Sequence, residues 1–146
     1  MEEIKDLAGN DAINKLKSIL VNNPTCMLIS AMNIKHPSVC PMTVKTIEDN
    51  GDIWFLSYKD SEHYENIQKD PNVLLTFAND IDQQYLSITG NGVHSDSEEL
   101  INILWDDSDK QWYANGRNDE NIVVLKVAIN DAYYWDQTEQ RSKPIQ

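Results

Sequence analysis

Trp54-Phe55-Leu56-Ser57-Tyr58-Lys59-Asp60-Ser61-Glu62-His63-Tyr64-Glu65-Asn66-Ile67 reads as a strand that ends in small hydroxyl residues and turns directly into a helix. Such a junction exposes the unpaired backbone N–H groups of the helix start, which make an anion site suited to a phosphate. Just upstream, Cys40-Pro41-Met42-Thr43-Val44-Lys45 lies on a second strand, expected to pair with the first. Structure alone also accounts for several of these residues. Ser57 and Ser61 suit strand ends and helix caps, and Glu62 in a first helical turn meets the helix dipole favourably.

Working outward, Asn10 or Asp11 can cap a helix over residues 11–22 with Ile13, Leu16 and Leu20 on one face, stopped by Asn22-Asn23-Pro24. Short β-rich runs follow at 27–31, 39–44 and 53–57, the last after the hairpin signal Glu48-Asp49-Asn50-Gly51-Asp52. Further runs span 73–78, 85–94, 123–127 and 132–136, and Leu86 and Ile88 alternate with Tyr85, Ser87 and Thr89. Helices interrupt at 61–69 and at 97–105, where Leu100, Ile103 and Leu104 form a stripe flanked by Ile101 and Trp105. Seven short strands without regular βα alternation predict an all-β barrel with peripheral helices. No linker or repeat divides the chain, so residues 1–146 are expected to form one domain with the barrel over about 24–137.

Composition narrows the function classes. A formal net charge of −12, with only 12 scattered basic residues, argues against a nucleic-acid partner. No apolar run approaches the roughly 20 residues needed to span a bilayer, and the acidic start Met1-Glu2-Glu3 lacks a signal-peptide core, so a cytoplasmic location is expected. Cys26 and Cys40 make neither a disulfide framework nor a Cys-x-x-Cys pair. His36 and His94 show no metal-ligand spacing, and Asp107-x-Asp109-x-Gln111 has Trp112 where a calcium loop needs glycine. No Ser-His-Asp order, carboxylate pair or Cys-His signature points to a protein-borne catalyst.

The ordered features resemble the general stress protein family of the pyridoxamine 5'-phosphate oxidase-like FMN-binding split barrels. They run from the leading helix through Pro41-Met42, Trp54-Phe55, Asp60-Ser61, Asp70-Pro71-Asn72-Val73 and Tyr85-Leu86-Ser87-Ile88-Thr89-Gly90 to Leu104-Trp105, Trp112-Tyr113 and Tyr134-Trp135-Asp136. No one of these is specific; their order and spacing over residues 11–137 are. The resemblance implies a split barrel that binds FMN, a homodimer with the flavin site at its interface, and a flavin-dependent oxidoreductase of unknown substrate. The alternatives are a non-catalytic flavin-binding or stress-response protein, or a barrel that has lost FMN and binds another ligand or partner.

The resemblance also assigns a flavin-binding set: Cys40, Pro41, Met42, Thr43, Lys45, Leu56, Ser57, Ser61, His63 and Tyr85. In the wider oxidase family an Arg-to-Lys segment lines the flavin; its counterpart here starts at Cys40 and ends at Lys45. A Thr closing the next strand is matched by Ser57, and the Ser-Arg-Lys that holds the phosphate by Ser61, Glu62 and His63. Lys45 and the serines fit; Cys40 and Glu62 depart, and His63 is a partial replacement. A hydrogen bond to a charged group contributes about 1.5–3 kcal/mol, so losing one or two costs roughly one to four decades of affinity. The substrate-binding Tyr, Arg and Ser of pyridoxamine-phosphate oxidase have no matching constellation over residues 106–117, so oxidation of vitamin B6 vitamers is not expected. Lys45 otherwise reads as an edge-strand gatekeeper, His63 as a surface helix residue, and the four tryptophans as core or dimer-interface anchors.

Overall fold

The computed structural model describes Glu2, Glu3 and residues 9–136; residue 137, the expected barrel end, lies outside that range. After β1 (Glu2–Glu3), helix α1 (Gly9–Asn22) stops where Asn23 and Pro24 follow. It buries Leu16, Ile19 and Leu20 against the barrel, while Ile13 is only half-buried. The strands are β2 (Thr25–Ser30), β3 (Ser38–Thr43), β4 (Thr46–Ile47), β5 (Ile53–Tyr58), β6 (Asn72–Asn79), β7 (Gln84–Ser95) and β8 (Ile122–Asp136). Helices α2 (Glu62–Lys69) and α3 (Glu98–Leu104) interrupt them, and two short 3-10 turns, Asp107–Trp112 and Gly116–Asn118, precede β8.

The sheet runs in the order β3-β2-β6-β7-β8-β5-β4, with β1 paired to β8, and every pairing is antiparallel. It curls into a split barrel whose inner face carries Leu28, Phe55, Leu75, Ile88 and Leu125, all fully buried. Burying one such side chain fully contributes about 1.5–3 kcal/mol. The alternation read from sequence explains this: Ile53, Phe55 and Ser57 of β5 point inward, while Trp54, Leu56 and Tyr58 lie half-buried on the outer face.

Three expectations need correction. The strand containing Cys40 does not pair with β5: among the described residues β3 pairs only with β2, and β5 with β8 and the two-residue β4. The hairpin at 48–52, with Gly51 at φ +95°, therefore joins β4 to β5. The runs at 123–127 and 132–136 are one strand, β8, which carries a bulge opposite Thr89/Gly90, with Asn130 as the extra residue between Ile129 and Asp131. A Cβ at Gly90 would lie 2.4 Å from the Ala128 carbonyl oxygen, so the bulge requires glycine. On α3 the core-facing residues are Ile101 and Leu104, which pack with Tyr113, Ile122 and Val124 over the outer face of β5 and β8. Ile103 points to water, 76 % exposed.

Candidate functional site

Helix α2 caps one end of the barrel opening, and its approach is set by a glycine. A Cβ at Gly92 would meet Ile67 and Leu125 side chains at 3.2 Å each, so α2 lies close on β7. Ser61 is its N-cap, accepting from the Tyr64 N–H at 3.2 Å, and its hydroxyl donates to the Tyr58 carbonyl at 2.7 Å. The strand-to-helix junction read from the sequence thus forms as expected, and it turns His63 inward, leaving it 7 % exposed.

His63 is the hub of a buried polar cluster. Its Nε2 lies 2.6 Å from Ser57 Oγ and 3.2 Å from Ser61 Oγ, and its Nδ1 lies 3.4 Å from Cys40 Sγ. Because the Ser61 proton is committed to Tyr58, Ser61 can only accept from the ring. A neutral ring satisfies the cluster in either tautomer: Ser57 donates to Nε2 while Nδ1–H donates to sulfur, or the thiol donates to Nδ1 while Nε2–H donates to the serines. A protonated ring would also find acceptors on both sides, and burial opposes it, pushing the His63 pKa below its ordinary 6.5. Burial likewise pushes the Cys40 thiol up, with the Glu62 carboxylate adding to the effect. At neutral pH the cluster is an uncharged hydrogen-bond network. Cys26, on the same strand pair and buried, is pushed up to about 12 and is an inert thiol.

The structure thus brings Cys40, Ser57, Ser61 and His63 together and separates the rest of the expected set. Met42 joins the core, whereas Pro41 and Thr43 face outward on the edge strand β3. Leu56 is on the outer face of β5, opposite to Ser57. Lys45 Nζ is held by Asp109 Oδ2 at 2.7 Å in a partly buried ion pair. Tyr85 donates to Asp80 at 2.8 Å; it pairs with Trp135, whereas Ser57 pairs with Val123, near opposite ends of β8.

Three participants were not legible beforehand. Tyr113 donates its buried hydroxyl to the Ser57 carbonyl at 2.8 Å, tying the 3-10 region to the floor of the cluster. Asp109 takes Lys45 and also accepts from the Asp106 N–H at 2.8 Å. His94, on β7 behind α2, stacks against Tyr64 with ring centroids 4.6 Å apart, and both its ring nitrogens are shielded from water without a hydrogen-bond partner among the described residues. These residues lie far from the cluster in sequence and carry no motif. Among the described residues no group of three or more His, Cys, Asp or Glu could hold a metal, and no helix is long and apolar enough to cross a membrane.

A curled antiparallel sheet, open between its edge strands β3 and β4, with a polar cluster where α2 begins, defines a split-barrel protein. Residues 11–145 match the sequence profile described as "pyridoxamine 5'-phosphate oxidase like", and the chain belongs to that family. Among solved structures it is similar to general stress protein 26 of Bacillus anthracis, at 24% identity over 84% of this chain and 92% of that one, with a TM-score of 0.71. It is similar to the general stress FMN/FAD binding protein of Xanthomonas citri, at 25% identity over 90% and 93%, TM-score 0.73. A protein of Clostridium acetobutylicum related to general stress protein 26 shares the fold at 14% identity over 90% and 93%, TM-score 0.76. No curated protein sequence matches the chain.

Proposed function

We propose that this protein binds FMN and works as a flavin-dependent oxidoreductase of the general stress type. The observation that carries this reading is the convergence of Cys40, Ser57, Ser61 and His63 where β5 turns into α2, in a chain of this family and similar to an FMN/FAD binding stress protein. When bound, FMN supplies the electron chemistry, and the protein supplies binding, orientation and local electrostatics.

The donor set fits the phosphate through neutral groups. Ser57 and the first-turn amides of α2 offer hydrogen bonds, Ser61 joins them only by releasing the Tyr58 carbonyl, and His63 adds charge if it takes up a proton. The strand from Cys40 to Lys45 flanks the ring position. Ser57 and Tyr85 lie near opposite ends of β8 in one chain, so a flavin that touches both needs a second copy. This supports a homodimer with the site at its interface. The outer surface of β2 and β3, where Met27 is 41 % and Val39 54 % exposed, offers apolar area for such a contact. The same reading takes the protein as cytoplasmic.

A second reading has its own support. Glu62 places a carboxylate in the first turn of α2, and Asp109 holds Lys45, so a barrel that has exchanged FMN for another ligand is the competing case. Titrating apo-protein with FMN, FAD and riboflavin by fluorescence quenching separates the two. FMN should bind most tightly, and Cys40→Arg should tighten it by about tenfold through one charge-assisted hydrogen bond. Equal affinity for FMN and riboflavin removes the phosphate site, and no quenching by any flavin establishes the second reading. Flavin reduction by NADH or NADPH with a range of acceptors tests catalysis, and sedimentation of the flavin-bound protein tests the dimer.

A further inference from the structure

A cleft of about 510 Å³ that includes Ser61 is walled by Tyr58, Trp112 and Tyr113 and carries the carboxylates of Asp60 and Asp119. Its aromatic wall is built. Tyr58 and Tyr113 pack with ring centroids 4.7 Å apart, Trp105 lies behind Tyr113 at 5.7 Å, and the Tyr58 hydroxyl donates to the Trp112 carbonyl at 2.7 Å. Trp112, at the mouth, is 62 % exposed, although a large ring in water gains nothing for folding.

Asn121 fixes both carboxylates at the rim. Its side-chain amide donates to Asp60 Oδ1 at 2.8 Å, and its backbone N–H donates to Asp119 Oδ1 at 2.8 Å. Asp119 also accepts from the Asn115 N–H at 3.1 Å, and these backbone donors hold its carboxyl below the ordinary range, so it is ionised at neutral pH. No lysine or arginine lines the cleft. Burial pushes the Tyr58 phenol up, and the charges of Asp60 and Asp119 push it further, which marks the field over the aromatic wall as negative.

We propose that this cleft binds a small organic cation carrying an alkylated ammonium group. π-Faces beside fixed carboxylates attract a cation whose alkyl surface can leave water, and they disfavour an anion or a strongly hydrated metal ion. The volume lies within the range of small-molecule sites. The assignment stands without bound flavin, because the cleft shares only Ser61 and Tyr113 with the surroundings of the flavin cluster, and Tyr113 reaches that cluster through a backbone carbonyl.

Choline and its uncharged isostere 3,3-dimethylbutanol provide the test, added to the full-length protein and followed by tryptophan fluorescence and saturation-transfer NMR. Choline should bind saturably, with the isostere at least about tenfold weaker. Trp112→Ala should weaken choline by about tenfold and Trp112→Phe should retain most of the binding, while Asp60→Asn, which keeps an acceptor for Asn121, should weaken choline and leave the isostere unchanged. Circular dichroism verifies that each variant folds. Equal binding of the two probes, or no saturable response to choline up to roughly 50 mM, overturns the proposal. So does a fluorescence change that follows protein concentration in place of choline, which would assign Trp112 to a contact between copies.

Discussion

His94 gives the sharpest test of the physical reasoning. Its ring nitrogens are buried with no hydrogen-bond partner among the described residues, and burial, with His63 nearby, lowers its pKa from 6.5 to about 4. A depressed histidine stabilises the fold at high pH and loses that contribution as pH falls, because the unfolded chain takes up the proton first. At about 1.36 kcal/mol per pH unit, the gap from 6.5 to about 4 caps the effect at about 3 kcal/mol. By pH 5 the linkage relation, with solvent screening, leaves about 1–2 kcal/mol. His94→Phe keeps a ring against Tyr64 and removes both the orphaned nitrogens and the titration. Urea unfolding at pH 7.5 and pH 5 measures the outcome. The wild type should lose about 1–2 kcal/mol more than the variant between the two, a difference of roughly 1 M in midpoint at an ordinary urea slope. Losses from the carboxylates, common to both chains, cancel in that comparison. Parallel pH slopes for the two proteins would show that His94 is not the group being titrated and would refute the burial argument.

Three further outcomes follow from the site and its scaffold. Tyr113→Phe deletes the buried hydroxyl bonded to the Ser57 carbonyl and should cost about 1 kcal/mol in thermal or urea unfolding while slackening flavin binding. Gly90→Ala drives a methyl group into the Ala128 carbonyl and should cost at least ~2 kcal/mol; a neutral result would place the bulge elsewhere. FMN affinity should fall as pH rises through the bound-state pKa of His63, since the dianionic phosphate raises that pKa above its depressed free value. His63→Ala should flatten the profile; titration of the phosphate itself is common to both proteins, and riboflavin controls for pH effects that do not involve the phosphate.

Local chemistry was what the sequence displayed best. Ser61 before Glu62, a Pro after Asn22-Asn23, and alternation along Leu86 and Ile88 each stated a cap, a stop and a face, and each formed. Those signals act over a few residues, so they survive without knowledge of the fold. Pairing is different. Cys40 and the β5 strand were expected as sheet neighbours because they are close in sequence, yet β8 takes the place beside β5 and leaves β3 on the edge. Nothing in the two segments distinguishes these arrangements, since both bury Phe55 and Met42 on the inner side. The α3 stripe misled for a related reason: Ile103 and Leu104 are equally apolar, and only the position of Tyr113 and Ile122 decides which faces inward.

The cluster itself shows how a site can keep its geometry while its charge changes. In the family pattern, cations surround the phosphate; here a thiol stands at Cys40, a carboxylate at Glu62, and Asp109 occupies Lys45. The chain does not leave the resulting space unsatisfied. His63 bridges Cys40 on one side and the two serines on the other, and burial keeps it neutral. On the proposed function, a phosphate entering this network would displace at least one of those hydrogen bonds and favour a protonated ring, so its binding would be proton-linked where an arginine or lysine cradle would be indifferent to pH over the same range. Flavin occupancy and the protonation of His63 would then form a single coupled equilibrium, with the charge of the anion site appearing only with the ligand.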